Sequence, residues 1–461
     1  MKSRMSFCNR ASFRKDITRF APLWVLYTAA IALIMVTGVA EIFSYEHPVE
    51  ILDGRIQAMA VPNFIYGMLA AQLLFGDLFQ SRMCNALHAM PIRRETWFGS
   101  HILSGLSFSI LPNLLVSLVM MPFLRGYWYV SLLWLAGATL QYLFFFGVGT
   151  LSIFCTGNRF ASAVVYMMVN FLAIVALWFL ETVYVPMLPS VILNDDAFLN
   201  FCPVAQMAKR HFMDVDWHFT NGEASKWTAG LIIEQEGWVY SGICAVIGVG
   251  AAAVSLLLYR RRSLECAGDF MAVKALRPVF LVLYTLCAGA FLSAFGELFL
   301  GSYRQAFRMV FLVVGLTAGF FTGRMLLERT SKVFNKKSFL QLAVLTAVIL
   351  ASVGLTELDV LGVVSYVPET EMIDYVEVSH PKEGVYRMEY SDPENIDTVR
   401  RAHRMAIEQG ENPPGKAFTF FRVAYHLKDG REVCREYDIE EYGQIDSLLD
   451  TLPIYSINVN E

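Results

Sequence analysis

Residues 127–153 read YWYVSLLWLAGATLQYLFFFGVGTLSI, twenty-seven positions without one Asp, Glu, Lys or Arg. As a helix this run rises about 40 Å, more than the ~30 Å of hydrocarbon in a bilayer. Working outward from it, hydropathy marks eight further runs of similar character, at 20–42, 61–79, 101–123, 160–180, 238–258, 279–298, 306–325 and 339–353. The run at 20–42 is longer than the apolar core of a signal peptide and reads as a span. Only three residues separate the spans at 101–123 and 127–153, which suits a tight hairpin. The whole chain agrees: of 461 residues 56% are hydrophobic and 17% charged, where soluble domains carry about a quarter charged. Disorder, nucleic-acid binding and an ordinary cytosolic enzyme all fit poorly.

Lys and Arg set the orientation, because short cytoplasmic loops accumulate them. With a cytoplasmic N-terminus, twenty fall in inside segments, including Arg82, Arg93, Arg94, Arg159 and Arg260 to Arg262. Seven fall outside: Arg55, Arg125, Lys209, Arg210, Lys226, Arg304 and Arg308. Nine spans then place the C-terminus outside the cell. The expected architecture is an all-α polytopic membrane protein of about nine transmembrane helices, six plus three, with a small C-terminal α+β extracytoplasmic domain. Its expected parts are a six-span core (1–258), a basic cytoplasmic linker (259–278), three additional spans (279–355) and the outer domain (356–461).

In the outer domain, 375–378 and 385–390 read as strands, and Asp392-Pro393-Glu394 opens a helix that Gly410 ends. Phe421, Val423, Tyr425 and Leu427 alternate on one strand face. Lys428-Asp429-Gly430 turns the chain into Val433, Arg435, Tyr437 and Ile439, a hairpin, and a last helix covers 441–452. The outer loop 181–237 is long and acidic, with a short apolar piece at 198–207 near the interface.

Chemistry-bearing motifs are scarce. There is no G-x-x-x-x-G-K-[ST] loop, no H-E-x-x-H and no G-x-S-x-G. The eight cysteines form no C-x-x-C pair and read as small buried hydrophobes. His380, His403 and His426 lack metal-ligand spacing. Inside the spans the carboxylates Asp77 and Glu297 are singled out, each close to a span end. They serve either an interfacial role or a helix contact or substrate path. Between the second and third spans, Met83, Ala86, Leu87 and Met90 fall at i, i+3, i+4 and i+7, and Pro91 follows. This stretch is either a continuation of the second span or a separate amphipathic helix on a membrane surface or in a partner's groove.

Asn85-Ala86-Leu87-His88-Ala89-Met90-Pro91-Ile92-Arg93-Arg94 resembles the L-H-[AS]-[LM]-P-[IV]-x-R segment after the second span of bacterial ABC transporter permeases of the ABC-2 type, particularly those of Gram-positive bacteria. Tyr259 to Asp269 (YRRRSLECAGD) is similar to the basic stretch after their sixth span. Phe201-Cys202-Pro203-Val204 resembles their S-P-[IV] piece, with Cys in place of Ser. The likeness covers roughly the first 280 residues; the remainder looks like a C-terminal extension found in a subset of such permeases. It implies a subunit of an exporter in the bacterial plasma membrane. This chain would bind no cofactor, ATP would be hydrolysed by a separate ABC ATPase subunit, and a second permease chain, like or unlike, would complete the path in the lipid bilayer. Nucleic acid is not among the implied partners. The coupling segment would include Arg82, Met83, Leu87, His88, Met90, Pro91, Arg93 and Arg94. The alternative is a membrane-anchored receptor whose outer domain binds a peptide or envelope ligand. An intramembrane enzyme is a distant third, for want of a nucleophile–base or metal pattern.

Overall fold

The computed structural model describes residues 9–44, 47–89, 91–124, 126–188, 190–192, 198–220, 226–262, 266–300, 305–360, 362–380, 386–409, 420–438, 443–449 and 451–452. Contacts divide the chain into two compact units, Met1–Ala173 with Leu199–Phe280, and Ile174–Phe198 with Leu281–Glu461.

The first unit holds α1 (Arg10–Arg19), α2 (Ala21–Ser44), α3 (Pro48–Ala58), α4 (Ala60–Leu74), α5 (Ser81–Ala89), α6 (Arg94–Met120), α7 (Val130–Cys155), most of α8 (Arg159–Val183), α9 (Pro203–Lys209), the hairpin β2 (Met213–Thr220) and β3 (Lys226–Ile233), and α10 (Gln235–Arg261). Their starts follow local chemistry. The Asn9 side chain accepts from Ala11 N at 2.9 Å and caps α1, while His47 caps α3 with Pro48 in its first turn.

α7 is the centre of this unit. A Cβ on Gly147 would lie 2.0 Å from the carbonyl oxygen of Gly248 on α10, and one on Gly67 of α4 would lie 2.9 Å from the Phe145 backbone. Main chain meets main chain there, as glycine allows between helices that lipid cannot drive together. Buried polar groups add a second tie. Asn63 Nδ2 donates to Ala138 O (3.1 Å) and Gln141 Oε1 (3.2 Å), Gln141 Nε2 donates to Ile56 O (3.0 Å), and Tyr27 OH donates to Asn63 Oδ1 (2.8 Å). Pro112 inside α6 has no N–H for the Phe108 carbonyl, and Tyr66 OH donates to that oxygen instead at 2.9 Å.

The second unit holds the end of α8, β1 (Val191–Ile192), α11 (Leu276–Leu300) from Leu281 onward, α12 (Gln305–Glu328), α13 (Lys336–Glu357) and the C-terminal α+β part. α11 and α12 meet through small residues: Cβ atoms on Gly315 and Gly319 would come within 2.7 Å of Ala288 O and 2.5 Å of Ala288 Cβ. The C-terminal sheet runs β1-β7-β6-β4-β5, antiparallel throughout, from β4 (Ile373–His380), β5 (Tyr386–Tyr390), β6 (Phe420–Leu427) and β7 (Glu432–Asp438). α14 (Pro393–Gln409) and α15 (Gly443–Leu449) contribute Ile396, Val399, Ala402, Ala406, Ile445 and Leu449 to a core with Val376, Phe421, Val423 and Tyr425.

Two expectations change. Among the described residues eight helices, not nine, are long and apolar enough to cross a membrane: α2, α6, α7, α8, α10, α11, α12 and α13. The expected second span is α4, 15 residues or about 22 Å, ended by a 3-10 turn at Gly76–Phe79. The chain still traverses its unit there, from Asp53 of α3, bonded to Phe212 and Met213, to Asp77, which faces Arg19. The stretch expected to be an outer loop is also structured. Pro203–Lys209 forms α9, Met213–Thr220 pairs with Lys226–Ile233 as β2 and β3, and Val191 and Ile192 pair with Arg435 and Cys434 at the sheet edge.

Candidate functional site

The chain between α4 and α6 does not continue the second span. Gln80 is extended (φ −109°, ψ 120°), and a new helix, α5, starts as Cys84 N donates to Gln80 O at 2.8 Å. Cys84 faces inward and is buried, and burial pushes its thiol pKa up. Arg82, Met83, Asn85, Ala86 and Ala89 are exposed. Pro91 and Arg93 are exposed too, beside the half-buried Arg94 that opens α6. Met90 and the side chains of Leu87 and His88 lie outside the described residues, as does the Glu297 side chain in α11.

Arg94 fixes this corner to the rest of the unit. Its Nη1 donates to the carbonyls of Tyr259 (3.0 Å), Arg262 (3.2 Å) and Arg260 (3.3 Å), and its guanidinium stands 5.5 Å over the Tyr259 ring. Those oxygens lie at the C-terminal end of α10, where a cation meets the negative end of the helix dipole. Arg260 pairs with Glu95 at 3.1 Å. Arg262 repeats the device one helix away, donating to Ile153 O near the end of α7 at 3.1 Å. Burial lowers its guanidinium pKa.

The segment after α10 closes the same end. Gly157 N donates to Asp269 O (2.9 Å), Gly268 N to Gly157 O (2.6 Å) and Ala272 N to Cys155 O (2.9 Å). Gly157 has no room for a side chain: a Cβ would sit 2.1 Å from Cys266 O. Asp77 lies in the 3-10 turn, 3.8 Å from Arg19 and partly exposed.

Sequence reasoning named Asp77 and Glu297 as the ionisable groups of the spans. That reading is incomplete, because the described residues bury Asp16, Asp53 and His101. Asp16 Oδ2 meets His101 Nδ1 at 2.6 Å and accepts from Ser104 Oγ at 2.9 Å, which joins α1 to α6. Trp97 packs edge-on against His101 with centroids 4.3 Å apart, and it also touches Tyr259. At the opposite end of the unit, Asp53 accepts from Phe212 N (2.6 Å), Met213 N (3.0 Å) and Gln57 Nε2 (2.8 Å), and meets His211 Nδ1 at 2.7 Å. Asp16 and Asp53 stand outside the apolar runs, so a search confined to those runs passes over them. His101 is the first residue of the run at 101–123.

α5 is a small exposed helix on a corner where Arg94 bonds to the end of α10 and Arg262, just past α10, bonds to Ile153 near the end of α7. Among the described residues no three His, Cys, Asp or Glu side chains gather as a metal site. No family model matches the chain, and neither a curated protein nor a solved structure matches it.

Proposed function

We propose that this chain is the membrane-spanning permease subunit of an ATP-driven transporter of the ABC-2 type, an exporter, and that α5 with the α5–α6 corner receives a separate ATPase subunit. The observation that carries the reading is the geometry of that corner: an exposed helix, set off from the span before it, ahead of an arginine bonded to the end of α10. The ATPase would press on Arg82 and Met83, and Arg94 would pass the motion to α10. Two permease chains, like or unlike, would form the path, with ATP bound and hydrolysed by the partner.

The reading places the N-terminus in the cytoplasm and the C-terminal part outside a bacterial plasma membrane. The β1–β7 pairing requires the α8–α9 connection and the C-terminal sheet to share one side, whichever side that is. Four long helices separate them in sequence, an even number. Cys434 is buried and its thiol is pushed up to about 12 by burial, so it is a poor topology probe. A cysteine placed at exposed Arg431 should label with an impermeant thiol reagent in intact cells; labelling only after lysis would reverse the orientation.

The functional test uses the tagged full chain, purified in mild detergent with its companion subunit and returned to vesicles. Met83→Asp, at a site 41% exposed, should lower coupled ATP hydrolysis at least tenfold while the chain still inserts. Nucleotide hydrolysis by the isolated chain, or pumping on an ion gradient without a companion, would sink the proposal.

A further inference from the structure

A cavity of about 550 Å³ runs between α1, α2 and α6. Ile17, Trp24, Ala29, Leu111 and Leu115 supply much of its wall, and its lining is almost wholly apolar. The two hydroxyls on it have no proton left to donate to a ligand. Thr28 Oγ1 donates to Trp24 O at 2.6 Å and Ser107 Oγ to Leu103 O at 2.8 Å, each back into its own helix. The groove therefore suits a hydrocarbon chain.

The mouth is different. Arg10, Arg14 and Ile17 are spaced by four and three along α1, one stripe of that helix. Ile17 lines the groove, while Arg14 and Arg10, one and two turns back, are exposed. Among the described residues neither guanidinium has a hydrogen-bond or ion-pair partner. The stripe is also held in place. Asp16 locks α1 to His101 and Ser104 of α6, and Trp24 Nε1 donates to Ile17 O at 3.1 Å across the α1–α2 corner. Two arginines on the same stripe of α1 as Ile17, which lines the hydrocarbon slot, complement one class of molecule, an anionic phosphate carrying a fatty chain.

We infer that the α1–α2–α6 groove is a binding site for an anionic phospholipid, with an acyl chain along Trp24, Ala29 and Leu111 and the phosphate held by Arg10 and Arg14. The site rests on α2 and α6 crossing a bilayer and is independent of the transport reading, so it stands even if no ATPase couples to the chain.

The test uses the full chain in phosphatidylcholine nanodiscs, titrated with phosphatidylglycerol whose acyl chains are brominated, a quencher of tryptophan fluorescence. Quenching should saturate, and Trp24→Phe should remove the saturable part. Brominated phosphatidylglycerol should be preferred over brominated phosphatidylcholine roughly twentyfold, about fivefold for each arginine. The double variant R10Q/R14Q should bring the two lipids level. Ala29→Phe, which fills the groove from an exposed position, should abolish saturable quenching by both, with monodisperse elution and an unchanged helical spectrum showing that the bundle persists. Equal binding of the two lipids by the unaltered chain, or an undiminished preference in R10Q/R14Q, overturns the phosphate contact. Saturable quenching that survives Ala29→Phe or Trp24→Phe overturns the groove as its location. If the unaltered chain shows no saturable quenching and Ala29→Phe turns a dimer into monomers, the occupant is a second copy and the lipid proposal is wrong.

Discussion

The two ends of the first unit each bury a carboxylate and use it in opposite ways. At one end the partners of Asp16 are two side chains of a single helix, His101 and Ser104, and all three groups are sealed from water. At the other end Asp53 holds two backbone amides where the β2 strand begins, and its histidine partner, His211, has a side chain 70% exposed. The first arrangement joins helix to helix and has no solvent to fall back on. The second pins a loop whose amides can find water once released. The end that carries α5 is thus the rigidly jointed one, with Arg94 and Arg262 bonded to the ends of two long helices beside it.

That contrast can be broken by measurement. Asp16→Ala should have the largest effect, because His101, whose Nε2 already lacks a partner among the described residues, would have neither ring nitrogen bonded in a buried site. A loss of about 2–4 kcal/mol is expected, read as a lower unfolding temperature in detergent. A shift no larger than that of an exposed substitution would remove Asp16 as a joint.

A third histidine sharpens the comparison. His403, between α14 and the C-terminal sheet, has no carboxylate; it meets Tyr425 OH at 3.1 Å and Tyr437 OH at 2.8 Å. Burial, with Arg435 and Arg404 nearby, lowers its pKa to about 3. Unfolded His403 takes a proton near pH 6.5, so between pH 6.5 and about 3 protons favour the unfolded state. The contribution present at pH 7 should decline by roughly 1.4 kcal/mol per unit below pH 6.5. Hydrogen exchange in residues 373–438 should quicken as pH falls through that window, after correction for intrinsic rates. His403→Gln should flatten the corrected dependence, and an unchanged slope would assign it to other groups.

Asp53→Ala should cost about 1–2 kcal/mol, less than Asp16→Ala, with amide exchange rising at Phe212 and Met213. The smallest effect is expected from His211→Ala, under about 1 kcal/mol, because water screens so exposed a partner. A His211 effect equal to that of Asp53 would mean that the exposed ring, and not the amides, holds the hairpin.

Much of the fold was legible because lipid and strand periodicity are local constraints. The eight long helices overlap the expected runs, and their ends fall within seven residues of the expected ones. The alternation of Phe421, Val423, Tyr425 and Leu427 lands on β6, where Phe421, Val423 and Tyr425 are fully buried. The apolar run at 61–79 misled because Phe75 and Gly76 end the α-helix while composition stays apolar. The β2–β3 hairpin and the pairing of Val191 with Arg435 are set by contacts remote in sequence. At the candidate site, the amphipathic spacing and Pro91 were visible. The capping of α10 by Arg94 was not, because it joins residues 165 or more positions apart.

The glycine contacts on α7 carry one more consequence. Where Gly147 meets Gly248 and Gly67 meets Phe145, the neighbouring helices are separated by less than the width of a methyl group. A sliding rearrangement would have to drag side chains of the next turn through those gaps. Helices α4, α7 and α10 are therefore expected to behave as one spindle, and a rearrangement within this unit meets less resistance in the helices outside those contacts.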